Sequence, residues 1–121
     1  MDKSGLMFPK PGKKKKRRQH SKSIIQNKED KKCYLCILLE DNWTTYTYLE
    51  EHHIFFSKHQ RAVSERYGLK VYLCSYHHRI GPLAVHNNQK YRRLLEAKGQ
   101  QAFEALYGHE RFMEVFGENY T

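Results

Sequence analysis

The sequence predicts a small α+β domain stapled by metal, with extra helices towards the C-terminal end and a basic N-terminal arm. Three observations predict it. Two short-spaced ligand pairs, Cys33-x-x-Cys36 and Cys74-x-x-His77, enclose the middle of the chain. Between and after them, stretches rich in β-branched and aromatic residues give way to stretches of helical spacing. The charge is also uneven: residues 1–32 carry twelve Lys or Arg against Asp2, Glu29 and Asp30, whereas residues 33–121 hold ten of each sign. The formal net charge of +9 therefore belongs to the N-terminal part.

At 121 residues and 39% hydrophobic content, the chain makes one domain with a thin core. Such a core commonly needs a disulfide set or a structural metal to hold it. Three cysteines cannot all pair internally, and closely spaced cysteines in a reducing compartment more often bind metal. The first residues lack a signal-peptide pattern, and no apolar run reaches membrane-spanning length. The expectation is a soluble cytoplasmic protein with neither a membrane nor a small-molecule substrate as partner.

The elements follow in order. Residues 1–28 hold Pro9, Pro11, Gly12 and the run Lys13, Lys14, Lys15, Lys16, Arg17 and Arg18. With few apolar residues to offset ordering, this arm is expected to be disordered when free and to bind phosphates. A solubilising tail and a nuclear localisation signal are the plainer alternatives. Residues 29–121 form the domain. Cys33 to Cys36 reads as a knuckle turn, and Thr44 to Leu49 as a strand running into Glu50-Glu51-His52-His53. Gln60 to Tyr67 reads as a short helix closed by Gly68, and Leu69 to Leu73 as a second strand delivering Cys74. A helical turn follows through Arg79, stopped by Gly81-Pro82. Asn87 to Tyr107 is the longest helix, with Tyr91, Leu94, Leu95, Ala102, Leu106 and the stem of Lys98 on one face. Gly99 weakens it and Gly108 ends it. His109 to Phe116 is a last amphipathic helix with Phe112, Val115 and Phe116 inward.

Two ligand sets separate by spacing. Cys33, Cys36, Cys74 and His77 match a closed Cys3His site for structural Zn2+, each pair giving two ligands from one tight turn. The competing reading is three unrelated buried thiols. His52, His53, His78 and His86 are left over, and a simple zinc finger needs none of them. Grouped around the knuckle, they suggest a second, open metal site. On a strand, His52 and His53 point to opposite faces, which suits one ligand beside one group of separate function.

Glu51-His52-His53-Ile54-Phe55 with Leu73-Cys74-Ser75-Tyr76-His77-His78 resembles the HNH, or ββα-metal, endonuclease superfamily. The longer pattern is similar to small phage and prophage HNH proteins related to RecA-dependent nucleases of the Ref type. It adds Arg61, Ser64-Glu65, Tyr67-Gly68-Leu69-Lys70-Val71-Tyr72, Gly81, Ala84-Val85-His86-Asn87 and Phe116-Gly117-Glu118-Asn119-Tyr120. The resemblance implies a ββα-metal domain that hydrolyses DNA to 5′-phosphate and 3′-hydroxyl ends. It places His53 as general base, with His52, His78 and His86 as ligands of a catalytic divalent metal (Mg2+, Mn2+, Zn2+ or Ni2+). It makes RecA filaments a candidate partner, a phage or prophage the source and the cytoplasm of a bacterial host cell the setting. In one respect the chain departs from the pattern: many relatives carry an Asn that orients the base, where this chain has Leu69. A non-catalytic zinc module that binds nucleic acid, a recombination accessory and a ribonuclease on the same scaffold are the alternatives.

Overall fold

Two antiparallel strands, β1 (Glu50–His53) and β2 (Lys70–Leu73), carry His52 and His53 and lead directly into Cys74. Their register pairs Glu50 with Leu73, Glu51 with Tyr72, His52 with Val71 and His53 with Lys70. The computed structural model describes residues 21–121, and Lys13 to Arg18 lie outside the described residues. Four helices accompany the sheet: α1 (Tyr34–Glu40), α2 (Gln60–Tyr67), α3 (Gln89–Tyr107) and α4 (His109–Phe116). The domain is thus a small α+β fold with a two-stranded sheet, four helices and a buried Cys3His cluster. No described helix is long and apolar enough to cross a membrane.

The segment 21–28, assigned to the arm by its charge, lies along the edge of β2. Ser23 Oγ donates to the Lys70 carbonyl at 2.6 Å, Tyr72 N–H donates to Gln26 Oε1 at 2.7 Å, and Ile24 N–H donates to the Gly68 carbonyl at 2.9 Å. Ile24 and Ile25 supply the apolar contact with the core that the lysine-rich part lacks. Gly68 is required twice over here. Its φ of 72° is left-handed, and a Cβ would collide with the Lys22 carbonyl oxygen.

Two further expectations change in the segments before β1. Thr44 to Leu49 is a loop with a single bridge, Lys32 to Thr45, and the strand begins only at Glu50. Asn42 Oδ1 accepts from Thr44 N–H at 3.0 Å, and this local turn competes with extension. Cys33 to Cys36 is not an isolated turn but the start of α1, with Cys33 at its N-cap.

The core joins Leu35, Ile54, Phe55, Leu69, Val71, Leu73, Val85, Leu95, Phe103 and Phe112, all buried. On α3 the inward face is Leu95, Gly99, Gln100 and Phe103, whereas Leu106 is 61% exposed. Gly99 explains the shift. A Cβ there would lie 3.1 Å from Ile54, so the missing side chain lets Ile54 and Phe55 press against the helix. Phe112 stacks on Phe116 with centroids 4.5 Å apart, and Phe55 sits 4.6 Å from Phe116. This aromatic wedge anchors α4.

Candidate metal centres

Strand alternation and one irregular turn sort the histidines into separate places. On β1, Glu50 and His52 face one side while Glu51 and His53 face the other, as the period of two requires. After β2, Tyr76–Ile80 forms a single π-helical turn, closed by Gly81 N–H donating to the Tyr76 carbonyl at 2.9 Å. Consecutive His77 and His78 project from it in different directions and join different clusters. Such turns recur at functional positions.

Cys33, Cys36, Cys74 and His77 are all buried and bring their ligand atoms together. His77 Nδ1 lies 3.6, 3.4 and 3.4 Å from the sulfurs of Cys33, Cys36 and Cys74, and Cys36 and Cys74 sulfurs are 3.9 Å apart. Zinc bonds of about 2.3 Å to sulfur and 2.0–2.1 Å to nitrogen give tetrahedral edges of about 3.5 Å and 3.8 Å. The four distances just given match those edges, and the cysteines are free thiols. Burial pushes the Cys33 thiol up to about 12, so a cation must take the proton's place for the thiolate to form. Tyr46 Oη stands 3.1 Å from Cys36 Sγ, and Cys36 N–H donates to Cys33 Sγ at 3.4 Å. Both would stabilise thiolate charge. Glu40 Oε2 is 3.5 Å from His77 Nε2, near enough to act by charge though not aligned as a hydrogen bond. This cluster could bind a structural metal ion.

The second cluster is His52, His78 and His86. Their ligand atoms lie within 4.8 Å of one another, and His78 Nε2 and His86 Nε2 are 3.1 Å apart. Two imidazole lone pairs so close need a proton or a cation between them. His52 Nε2 is buried without a hydrogen-bond partner, which is costly unless a ligand satisfies it. Burial, together with neighbouring His78 and His86, lowers His52 to about 3 and keeps it in the neutral, ligating form. His86 is lowered too, chiefly by burial and by His78. It reaches the group because the chain doubles back after Gly81: Val85 N–H donates to the His77 carbonyl at 2.9 Å, and Asn87 Nδ2 donates to the Arg79 carbonyl at 2.7 Å. Behind His78, Glu50 Oε1 lies 2.5 Å from Nδ1, leaving Nε2 to face the cluster. The bond from His78 holds the Glu50 carboxyl below its usual range. A carboxylate bonded to the far nitrogen is the usual support of a metal-bound imidazole.

His53 stands apart from that trio. Its Nε2 meets Glu65 Oε1 at 2.6 Å, and Lys70 Nζ bridges Glu65 and Glu51 at 3.1 and 3.0 Å. Burial works against the Lys70 ammonium, but the hydrogen bonds to Glu51 and Glu65 outweigh it and raise its pKa.

Sequence spacing assigned no task to Glu50, Glu65 or Lys70. Glu50 was accessible through the two-residue alternation with His52. Glu65 was not, because only the docking of α2 on the sheet brings it to His53. Comparison with protein-family models, curated proteins and solved structures finds no significant match.

Proposed function

We propose that this protein is a metal-dependent DNA endonuclease of the HNH type, yielding 5′-phosphate and 3′-hydroxyl ends. One observation carries the reading: three imidazoles converge on one point, one with an unpartnered buried nitrogen, beside a further histidine on the same strand. The Cys3His cluster, closed by four protein ligands, holds zinc and staples the fold. The cluster of His52, His78 and His86 has three protein ligands and so leaves room for solvent or substrate, the pattern of a catalytic centre. A divalent cation there would stabilise charge on a phosphate oxygen and on the departing 3′ oxygen. Imidazole donors favour transition-type ions over Mg2+.

His53 supplies the base: it faces away from His52, but it is the last residue of β1, where a phosphate reaching round the strand end would meet both this ring and the metal. Its side chain retains 12% exposure, enough to meet a water at the surface. The water O–H bond breaks, its proton passes to His53, and its oxygen forms the new bond to phosphorus. The bond to the 3′ oxygen breaks, and that oxygen takes a proton from solvent. The charges of Arg79 and Arg92 both lower the His86 pKa, so the field at the centre favours an anion such as a phosphate. Lys13 to Arg18 would add phosphate contacts without reading sequence.

The test is nicking of supercoiled plasmid against added Mn2+, Mg2+, Zn2+ and Ni2+, with and without RecA filaments, beside a count of bound metal. Metal-stimulated nicking with about two metals per chain is expected. Nicking only on RecA-coated DNA would make the enzyme filament-dependent. One zinc with no cleavage of DNA would overturn the reading in favour of a binding module, and cleavage confined to RNA would make it a ribonuclease.

A further inference from the structure

We infer that Glu65 is the positioning residue of His53, holding the imidazole with its proton on Nε2 and leaving Nδ1 to receive the proton from water. This rests on the reading of His53 as general base and names what orients it.

The geometry is specific. Glu65 Oε1 lies 2.6 Å from His53 Nε2. A carboxylate only accepts, so the nitrogen facing it is the one that carries hydrogen. The other oxygen, Oε2, accepts from Lys70 Nζ at 3.1 Å, and the same ammonium pairs with Glu51 Oε2 at 3.0 Å. Glu65 is therefore gripped at both oxygens. Lys70 is 6% exposed and stands opposite His53 in the sheet, so the ring, the carboxylate and the ammonium share one rigid face. As His53 takes up the water's proton on Nδ1, the Glu65 carboxylate offsets the charge on the ring, and the proton later returns to solvent.

Glu51, His53 and Glu65 also have the spacing of a metal site, with ligand atoms within 4.8 Å. Lys70 argues against that use. Its ammonium already bridges the two carboxylates and supplies the positive charge an ion would bring.

Glu65→Gln separates these possibilities while keeping the shape. The Lys70 ammonium can only donate, so it should take the amide oxygen and turn the NH2 group towards His53. His53 must then accept at Nε2 and carry its proton on Nδ1. Two-bond 1H–15N correlation spectra of the full-length, metal-loaded protein read this directly, with His53 assigned through His53→Gln. The wild type should show Nε2–H, and Glu65→Gln should show Nδ1–H. Turnover at saturating plasmid should fall about 10–100-fold, with KM and bound metal unchanged. Glu65→Ala, which offers neither donor nor acceptor, should lose less and show a mixture of tautomers. An unchanged tautomer in both variants overturns the inference, as does loss of a bound metal ion with Glu65→Gln. A switched tautomer with undiminished turnover overturns it equally. A wild type that never nicks DNA would overturn the endonuclease reading alone, because the spectra test the positioning separately.

Discussion

His52 is buried against His78 and His86, while His53, one position on, turns to Glu65 and Lys70. This division predicts different losses at neighbouring positions. His53→Ala should keep the fold, both metals and DNA affinity while cleavage falls about 10²–10⁴-fold, the usual contribution of a positioned proton acceptor. His52→Ala and His78→Ala should instead lower occupancy of the second metal, and added metal should restore part of the rate. Glu50→Ala should weaken the same metal by about 10–100-fold through the unsupported His78 ring. Catalytic rate against metal concentration, with bound metal counted in parallel, distinguishes these classes. His86 is the exposed member of the trio. If His86→Ala leaves occupancy unchanged, the centre is a two-histidine site completed by water.

At the scale of elements, the glycines mark where one segment passes over another. Gly68→Ala should destabilise by more than the roughly 1 kcal/mol of an ordinary helix-end change, because strain at φ 72° adds to a collision with the Lys22 carbonyl. Chemical denaturation measures that difference, and a neutral result would mean the segment 21–28 is not seated on β2. The helices α3 and α4 were legible from apolar spacing, α2 and α3 from their closing glycines, and β2 from its short apolar run. The strand over Thr44 to Leu49 was misread because β-branched and aromatic residues favour extension only where a partner strand exists. Here Lys32 makes one bridge to Thr45, and Tyr46 turns instead towards Cys36.

At the scale of the whole molecule, the Cys3His cluster and the basic arm are expected to do different work. Cys36 comes from α1, Cys33 from its cap, and Cys74 and His77 follow β2, so one ion would tie both ends of a long loop. Cys74→Ser should therefore unfold much of the domain, since metal-binding free energy is folding free energy in so small a protein. Circular dichroism melts with zinc content will show this. Unchanged melting and zinc content would remove the structural role. Deleting residues 1–20 takes away eight Lys or Arg and leaves the segment seated on β2. Binding to DNA should weaken and its salt dependence should flatten, by about 0.9 in log–log slope for each phosphate the arm no longer neutralises. Cleavage at saturating DNA should survive, and its disappearance would make the arm part of the active centre.

The Cys and His candidates, their division into two sets and the charge asymmetry were legible in the sequence alone, because spacing within a turn or strand is a local property. Cys33-x-x-Cys36 and Cys74-x-x-His77 point to one cluster that could hold a metal ion, whatever loop lies between them. Alternation on β1 separates His52 from His53 without any knowledge of the rest. What stands behind each ring depends on tertiary packing. His86 joins His78 because the chain doubles back after Gly81, and Glu65 meets His53 because α2 packs on the sheet. Those contacts depend on where whole elements dock, and docking follows from burial of Ile54, Phe55, Leu69 and Phe103 rather than from any residue at the site.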